Sequence, residues 1–221
     1  MDKNETMDRK TRILDAAEQV FGNSGFDGAS LRQIVQAARV NLATVYYYFE
    51  SKEHLLEEVF KRRLGPVKEE QLASLRQVER RGLKGMAAVE KILEAMLFPA
   101  LRLTASADLK RSIPTKLIGR VVADPNPRFQ ELIRSQHDEV RHAFIAALQR
   151  RLPKCSIADL AWRMELVWGA LAFLMCNPDR VKRAADGEGH SVGARMALAQ
   201  MTAFFSTGLC APAAKRNPPA R

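Results

Sequence analysis

Aromatic residues are sparse, at 7% of the chain, and the alternating runs of valine, isoleucine and threonine that are typical of strands are almost absent. Both features argue against a sheet-based fold and favour helices. Cysteine is scarce as well. Cys155, Cys176 and Cys210 have no CxxC spacing and leave an odd number, which indicates buried or free thiols in a reducing compartment.

Long hydrophobic segments are also missing. The longest strongly apolar run, Leu166 to Cys176, is too short to cross a bilayer but long enough for a buried helix. The N-terminus from Met1 to Arg12 is charged, and no apolar segment follows it as in a secretory signal. We therefore expect a cytoplasmic protein without a membrane partner.

Signatures of catalysis and of metal binding are lacking too. The chain has no glycine-rich phosphate loop, no GxSxG and no HExxH. His137 and His142 are five residues apart and do not share a helix face, while His54 and His190 are isolated. We therefore expect no catalytic residue, no metal and no cofactor, although an enzyme built on a helical bundle stays an alternative.

The chain carries a formal net charge of +10, but its N-terminal part is acidic. Residues 1–60 hold seven lysine and arginine residues against ten aspartate and glutamate residues, whereas the remainder holds 28 basic and 15 acidic ones. A strongly basic protein is a candidate for nucleic-acid binding. Because the excess charge lies outside the N-terminal part, a DNA-binding function there has to be argued from a motif.

Apolar residues make up 47% of the 221 residues and recur at helical spacing. We predict a first helix from about Asp8 to Gly22, ended by the segment Gly22–Gly25. Long amphipathic helices are predicted between residues 66 and 209, and Gly65-Pro66 is expected to break or kink the fourth helix. The length suits one small and one larger domain, both all-α.

Capping signals divide the segment after the first helix. Ser30 and Gln33 have the form of a capping box for a second helix. Asn41 is a suitable N-cap for the third helix, and Ser51 for the fourth. The second and third helices are separated only by a tight turn at Arg39-Val40, which is typical of a helix-turn-helix whose second member enters the DNA major groove.

The stretch from Thr11 to Phe60 resembles the N-terminal domain of the tetracycline-repressor (TetR) family. The resemblance is carried by a first helix that ends in phenylalanine and by a set of short motifs, namely Gly25-Phe26, Ser30, Ile34, Val40-Asn41, Thr44-Val45-Tyr46, Tyr48-Phe49 and Ser51-Lys52-Glu53. It implies an all-α protein with an N-terminal three-helix helix-turn-helix domain and a larger helical domain for ligand binding and dimerisation. We place these domains at 1–50 and 51–210. The tail 211–221, rich in proline, alanine and basic residues, is expected to be disordered.

The resemblance also assigns DNA contacts by position on the second, third and fourth helices. The residues expected to touch DNA are Ser30, Arg32, Asn41, Leu42, Ala43, Thr44, Tyr46, Tyr47 and Lys52. Two alternatives stay open. Arg32 is by default a solvated surface charge. Tyr46 and Tyr47 instead belong to a core aromatic cluster, together with Tyr48 and Phe49, if they do not face the groove.

Two positions depart from the family pattern. Arg39 stands in the turn where the family usually has glycine, and a non-glycine residue at positive φ costs about 1 kcal/mol. Glu50 stands where proline, glycine or a basic residue is commoner, and an acidic side chain near phosphates is unfavourable. Both departures bear on operator affinity rather than on the existence of the motif.

The family resemblance implies a ligand-responsive transcription regulator, expected to be a repressor that a small effector releases from a palindromic double-stranded operator. The stretch Val40–Ala43 and the body segment Pro125–Pro178 are more similar to a subgroup that includes fatty-acid-responsive regulators. We therefore expect a mostly apolar effector, with an anionic, fatty-acyl-like molecule as one form of it. A helix-turn-helix scaffold used only for protein contacts stays the second alternative.

Two C-terminal segments are expected to form a homodimer. The segment Ser156–Asn177 is apolar nearly all round and therefore has to be covered on two sides. One large core within a monomer is the alternative, and the family resemblance favours a dimer built on a four-helix interface. The expected interface residues are Trp168, Leu171, Met175, Leu198, Met201 and Phe205.

Overall fold

The computed structural model describes residues 3–104, 117–118, 121, 126–177 and 193–212. Within these ranges the chain forms eight α-helices and no strand, which confirms the all-α prediction. The helices are α1 (Lys3–Gly28), α2 (Leu31–Ala38), α3 (Leu42–Tyr48), α4 (Lys52–Arg80), α5 (Gly85–Thr104), α6 (Pro127–Arg151), α7 (Ile157–Cys176) and α8 (Ala194–Cys210). The predicted helix around residues 108–122 and the tail from residue 213 onward lie mostly or wholly outside the described residues.

The first three helices form a compact head with its own apolar core. The side chains of Phe21, Ile34, Val45 and Phe49 are buried there, and α4 covers them with Leu55. The short helices begin where the sequence predicts. The Ser30 hydroxyl accepts a hydrogen bond from the Gln33 backbone N–H, at 3.2 Å, and the Gln33 side chain accepts one from the Ser30 N–H, at 2.8 Å. The predicted capping box is therefore confirmed.

The end of the first helix is a correction to the sequence analysis. The helical backbone continues past Gly22, and the first non-helical residue is Gly25, at φ 72° and ψ 175°. Glycine adopts this conformation at no steric cost. Asn23 and Ser24 have low helix propensity, but that preference amounts to only about 0.7 kcal/mol or less per residue and does not stop a helix that is already formed.

Of the break or kink expected at Gly65-Pro66, the break does not occur, because α4 runs through Pro66 as one helix of 29 residues. The proline removes one backbone hydrogen bond. The buried side chains of Leu64 and Val67 lie on either side of it and hold both halves of α4 against the core. No loop therefore separates the head from the rest of the chain, and α4 joins them as one continuous helix.

The remaining helices form a body around α5, which packs against α4, α6, α7 and α8. Its apolar residues Ile92, Leu93, Met96 and Leu97 are fully buried. The helix α6 also packs on α4 and on α7. None of the helices in the described ranges has the length and hydropathy that a membrane span requires.

Candidate nucleic-acid interface and internal cavity

One face of α3 is turned to solvent. Val45 and Phe49 are 1% exposed and anchor the helix, whereas Tyr46 is 53% and Tyr47 72% exposed. The rings of Tyr46 and Tyr47 are therefore not part of the core cluster. Leu42 and Ala43 are exposed on the same short helix, so this face presents small, aromatic and polar groups as groove binding requires.

The N-terminus of α3 is held by Asn41. Its side-chain oxygen accepts hydrogen bonds from the backbone N–H and the hydroxyl of Thr44, both at 2.7 Å. This pairing fixes the rotamers of two residues that were expected to touch DNA. The carboxamide NH₂ group of Asn41 has no partner among the described residues and stays available as a donor to an acceptor outside the chain.

The other expected contacts lie at the starts of α2 and α4. Ser30 and Arg32 are exposed on the first turn of α2. Lys52 lies on the first turn of α4, and its ammonium group sits 4.3 Å from the centre of the Phe26 ring. This cation–π contact holds Lys52 beside the end of α1.

The turn between α2 and α3 is fixed by a residue that the sequence analysis missed. The guanidinium of Arg12 in α1 donates to the Ala38 carbonyl, at 2.8 Å, and to the Arg39 carbonyl, at 2.9 Å. Both carbonyls lie at the C-terminal end of α2, where a cation also complements the helix dipole. Arg39 adopts φ 54° and ψ 48°, so the turn keeps the left-handed geometry for which glycine is usual.

A second missed feature is an ion-pair cluster between α1 and α4. The buried carboxylate of Glu18 accepts from Arg62, at 2.6 Å, and from Arg63, at 2.7 Å. Arg62 also donates to Asp15, at 2.7 Å. Charge-assisted pairs of this geometry fix the angle at which the head sits on the long helix α4.

A cavity of about 370 Å³, partly open to solvent, lies in the body between α4, α5, α6 and α7. This volume falls at the lower end of the range for small-molecule sites, about 300–1,000 Å³. Most of its wall is apolar and consists of Leu64, Val67, Ala100, Leu103, Ile118, Ile133, Trp168, Leu171, Ala172 and Met175. Its polar residues are Gln71, Gln130, Arg134, His137, Asp138, Arg141 and Glu165.

His137 has an unusual place in this wall. Its ring lies 5.7 Å from the ring of Trp168 across the cavity wall. Burial lowers the pKa of His137 below its ordinary value of 6.5, Lys68 lowers it further, and Asp138 opposes the shift. The imidazole is therefore neutral at physiological pH.

Of the six residues expected at the dimer interface, three are buried in the protomer core and three are partly buried. Leu171, Met175 and Met201 are buried within the protomer and offer no surface to a partner. Trp168, Leu198 and Phe205 are partly buried and pack against the same core. Because α7 is apolar nearly all round, its sequence does not distinguish the inner face from the outer one.

A different apolar surface faces outward on these two helices. Trp162 is 73% exposed, and Leu166 and Phe173 follow it along the same face of α7. On α8, Phe204 is 75% exposed and Met196 is exposed as well. We call these five residues the outer stripe. Large exposed apolar side chains grouped on one surface are typical of interaction sites.

No group of three or more histidine, cysteine, aspartate and glutamate side chains suited to hold a metal occurs among the described residues. The thiol of Cys155 is not disulfide-bonded, and neither is that of Cys210. Burial raises the pKa of the Cys210 thiol, although nearby Arg163 opposes this shift. The Cys210 thiol is therefore protonated at physiological pH and less reactive than a thiolate.

Comparison with known families gives two matches. Residues 13–59 match the family described as "Bacterial regulatory proteins, tetR family". Residues 94–208, more than half of the chain, match the family described as "Tetracyclin repressor-like, C-terminal domain". The first match covers the helix-turn-helix, and the second covers most of the cavity wall.

Among characterised relatives, the "HTH-type transcriptional repressor KstR" of Rhodococcus jostii is 27% identical over 181 residues, which cover 75% of this chain and 84% of the relative. Among solved structures, the fatty acid degradation regulator FadR of Bacillus halodurans has a TM-score of 0.65 at 19% identity, covering 91% of this chain and 96% of that one. FadR of Bacillus subtilis, solved in complex with stearoyl-CoA, has a TM-score of 0.66 at 17% identity and covers 90% and 98%.

Proposed function

The chain belongs to the TetR family of ligand-responsive transcriptional regulators, and from this premise we propose that it is a repressor released from a palindromic operator when a mostly apolar effector fills its cavity. The observation that carries the proposal is the position of α6. One end of this helix packs on the head, while the next turns line the cavity. A repressor acting on the cell's DNA works in the cytoplasm, the compartment that the sequence predicts.

The DNA-binding part of the proposal rests on the exposed face of α3. Tyr47 and Thr44 are proposed to contact base edges in the major groove. The side chain of Asn41 is oriented for the same role by its hydrogen bond from the Thr44 backbone N–H. Tyr46 and Lys52 are proposed to touch phosphates, as are Ser30 and Arg32 at the start of α2. The packing of α2 against α3 supports this assignment, because these two helices carry most of the proposed contacts.

The dimer part rests on the outer stripe. A single head covers one half-site, and a palindromic operator needs two heads roughly 34–36 Å apart. We propose that two copies of the chain pair through Trp162, Leu166 and Phe173 of α7 together with Met196 and Phe204 of α8. Pairing α7 and α8 with their symmetry mates buries both helices on their second side.

The effector part rests on the composition of the cavity wall. An apolar wall with a few polar groups at one side suits an amphiphile that has a hydrocarbon body. The solved structure of FadR from Bacillus subtilis contains stearoyl-CoA, which is such a molecule, although the low identity shows likeness of fold alone. We propose a fatty-acyl compound as the effector class.

We propose that effector binding changes the position of the head through the N-terminal turn of α6. Phe129 is buried there, and its ring meets that of Phe26 in the head edge-on, at 5.3 Å between centroids. Arg128 reaches Glu53 on the first turn of α4, at 3.5 Å. An effector that favours another position of α6 thereby favours another position of the head, provided that it binds the two states with different affinity.

Selection from a pool of random duplexes tests the proposal. The purified chain should enrich an inverted repeat, and the binding constant for the enriched duplex should exceed that for random duplex by roughly 10³-fold or more. Equal affinity for all duplexes contradicts a repressor. A protein with no affinity for any duplex at low salt supports instead the alternative of a helix-turn-helix used for protein contacts.

A further inference from the structure

The turn between α2 and α3 sets the direction of α3, and Arg12 of α1 contacts this turn. We propose that Arg12 is a positioning residue for operator binding, which acts by fixing the backbone of Arg39 and thereby the orientation of α3. The proposal rests on the proposed function, because it assumes that α3 contacts DNA. It assigns a part in DNA recognition to a side chain that does not itself touch the duplex.

The first observation is the way in which the backbone closes the end of α2. The N–H of Val40 donates to the carbonyl of Val35, at 3.2 Å, and the N–H of Arg39 donates to that of Gln36, at 3.3 Å. This pair of bonds is a Schellman motif, in which the left-handed position is usually glycine. The backbone thus closes α2 in a form that favours glycine, although arginine occupies the position, at φ 54°.

The second observation is the geometry of the Arg12 contacts. One terminal nitrogen of the guanidinium donates to the Ala38 carbonyl, at 2.8 Å, and to the Arg39 carbonyl, at 2.9 Å, and Nε also donates to the Ala38 carbonyl, at 3.3 Å. These carbonyls belong to the peptide groups before and after the Cα atom of Arg39. Because each peptide group is planar, holding both of them fixes φ and ψ of Arg39. Arg12 therefore stabilises a left-handed conformation that a residue with a side chain disfavours.

The third observation is that little chain separates this turn from the helix proposed to contact DNA. Only Val40 and Asn41 lie between Arg39 and the first residue of α3. Val40 packs against the buried core, and Asn41 caps α3 through the Thr44 N–H, at 2.7 Å. A change of φ or ψ at Arg39 therefore alters the direction of α3, on which the exposed Tyr47 lies.

Lys10 provides a matched control on the same helix. Its side chain is 43% exposed and that of Arg12 is 42% exposed, so that replacing either one removes a positive charge from a similar environment. Lys10 contacts Glu58 of α4, at 3.2 Å, and lies over the ring of Phe49, at 5.7 Å. A difference between Arg12→Ala and Lys10→Ala therefore reports the contact with the turn and not the loss of charge.

Anisotropy titrations with the selected operator and with random duplex measure the effect on DNA binding. Relative to Lys10→Ala, we expect Arg12→Ala to weaken operator binding roughly three- to tenfold and random-duplex binding less than about twofold. The reason is that only a fraction of the molecules then holds α3 in the competent position. Arg12→Lys keeps the charge but lacks the planar group that reaches both carbonyls, and should show an intermediate loss.

The salt dependence separates positioning from direct contact. The slope of log K against log salt should be the same for Arg12→Ala and Lys10→Ala. A slope that is lower by about 1 for Arg12→Ala alone identifies Arg12 as a phosphate contact and overturns the proposal.

Glycine at position 39 should compensate for the loss of Arg12, because glycine adopts positive φ at no steric cost. Arg39→Gly added to Arg12→Ala is expected to bind the operator within about twofold of Arg39→Gly added to Lys10→Ala. If the first of these double variants binds as weakly as Arg12→Ala, the role of Arg12 is not to hold residue 39, and the proposal is wrong.

Hydrogen exchange of the free protein tests the turn without DNA. The probe is the Val40 amide, and the reference is the Leu152 amide, which donates to the Leu148 carbonyl at the end of α6, at 2.8 Å. Arg12→Ala should speed exchange at Val40 roughly tenfold or more and leave Leu152 unchanged, whereas Lys10→Ala should change neither.

If Arg12→Ala does not fold, Arg12→Lys is measured in the same way, with a smaller increase expected at Val40. Exchange at Val40 equal to that of the unchanged protein overturns the proposal by itself. An unchanged chain that selects no operator refutes the proposed function instead, so the two failures are distinguishable.

Discussion

The ring of Phe129 meets the ring of Phe26 edge-on, at 5.3 Å between centroids, and thereby joins the helix that lines the cavity to the head that carries the exposed tyrosines. Phe26 also stacks on Phe21 in the core of the head, at 5.7 Å. The ammonium of Lys52 lies over the same Phe26 ring, at 4.3 Å. One aromatic side chain thus contacts the cavity helix, the head core and a proposed phosphate contact.

Phe129→Leu should weaken the coupling between the cavity and the DNA-binding head. Leucine keeps most of the buried apolar volume, so we expect a stability loss of less than about 1.5 kcal/mol, but it lacks the ring edge that faces Phe26. Operator affinity without effector should stay within a few fold of the unchanged protein, and the effector should release DNA less completely. Phe98→Leu, on α5 outside both the cavity wall and the outer stripe, is the comparison variant. A full response in Phe129→Leu rules out this route of coupling.

Changes on α3 and α4 should separate base contacts from phosphate contacts. Thr44→Ala and Tyr47→Ala are expected to weaken binding to the selected operator by about 1–3 kcal/mol and binding to random duplex much less. Lys52→Ala should weaken both alike and reduce the slope of log K against log salt by about 1. Anisotropy titrations at several salt concentrations distinguish the two patterns. Our assignment of roles is wrong if Lys52→Ala changes sequence preference and Tyr47→Ala does not.

Arg39→Gly tests the turn between α2 and α3. Arg39 has φ 54°, which costs a non-glycine residue about 1 kcal/mol, and glycine relieves this strain while gaining entropy in the unfolded chain. We expect an unchanged or slightly higher Tm and unchanged DNA binding. Thermal unfolding and operator titration are measured on the same sample. Loss of operator affinity at unchanged Tm instead identifies Arg39 as a phosphate contact.

Charge placed on the outer stripe should prevent dimerisation without unfolding the chain. The Phe204 side chain is 75% exposed, so Phe204→Glu does not disturb the protomer core, but a buried, unpaired carboxylate opposes pairing of two copies. We expect a monomer by light scattering at micromolar concentration and loss of specific operator affinity. Ala146→Glu, which adds the same charge at an exposed position of α6 outside the outer stripe, should remain dimeric. A wild-type monomer contradicts the proposed interface.

Local signals in the sequence predict much of this molecule. The N-caps Ser30, Asn41 and Ser51 and the exposed face of α3 depend on neighbours within one or two turns, so spacing alone reveals them. The helix α4 does not end at Gly65-Pro66, because tertiary packing on both sides of the proline outweighs the local preference. The hydrogen bonds of Arg12 to the end of α2 join residues that are 26 and 27 positions apart in the sequence, so no local pattern predicts them.

The apolar helix α7 shows a second limit of prediction from the sequence. Its sequence shows that both sides must be covered, but it does not tell which side is the protomer core. Leu171 and Met175 prove to be inside, while Trp162 and Phe173 face outward. The cavity is equally invisible to sequence patterns, because its wall combines residues of several helices that only the tertiary fold brings together.

The central claim, that filling the cavity releases the operator, is tested most directly by titrating methyl decanoate into the complex of the protein with its selected operator duplex. Ala172 lines the cavity, and Ala172→Phe places a ring in the space that the effector needs. Ala146→Phe, on the exposed side of α6, is the control. We predict that the ester lowers operator affinity of the unchanged protein and of the control at least tenfold, and has no effect on Ala172→Phe. If the Ala172→Phe variant releases the operator at the same ester concentration as the unchanged protein, the claim that filling the cavity releases the operator is contradicted.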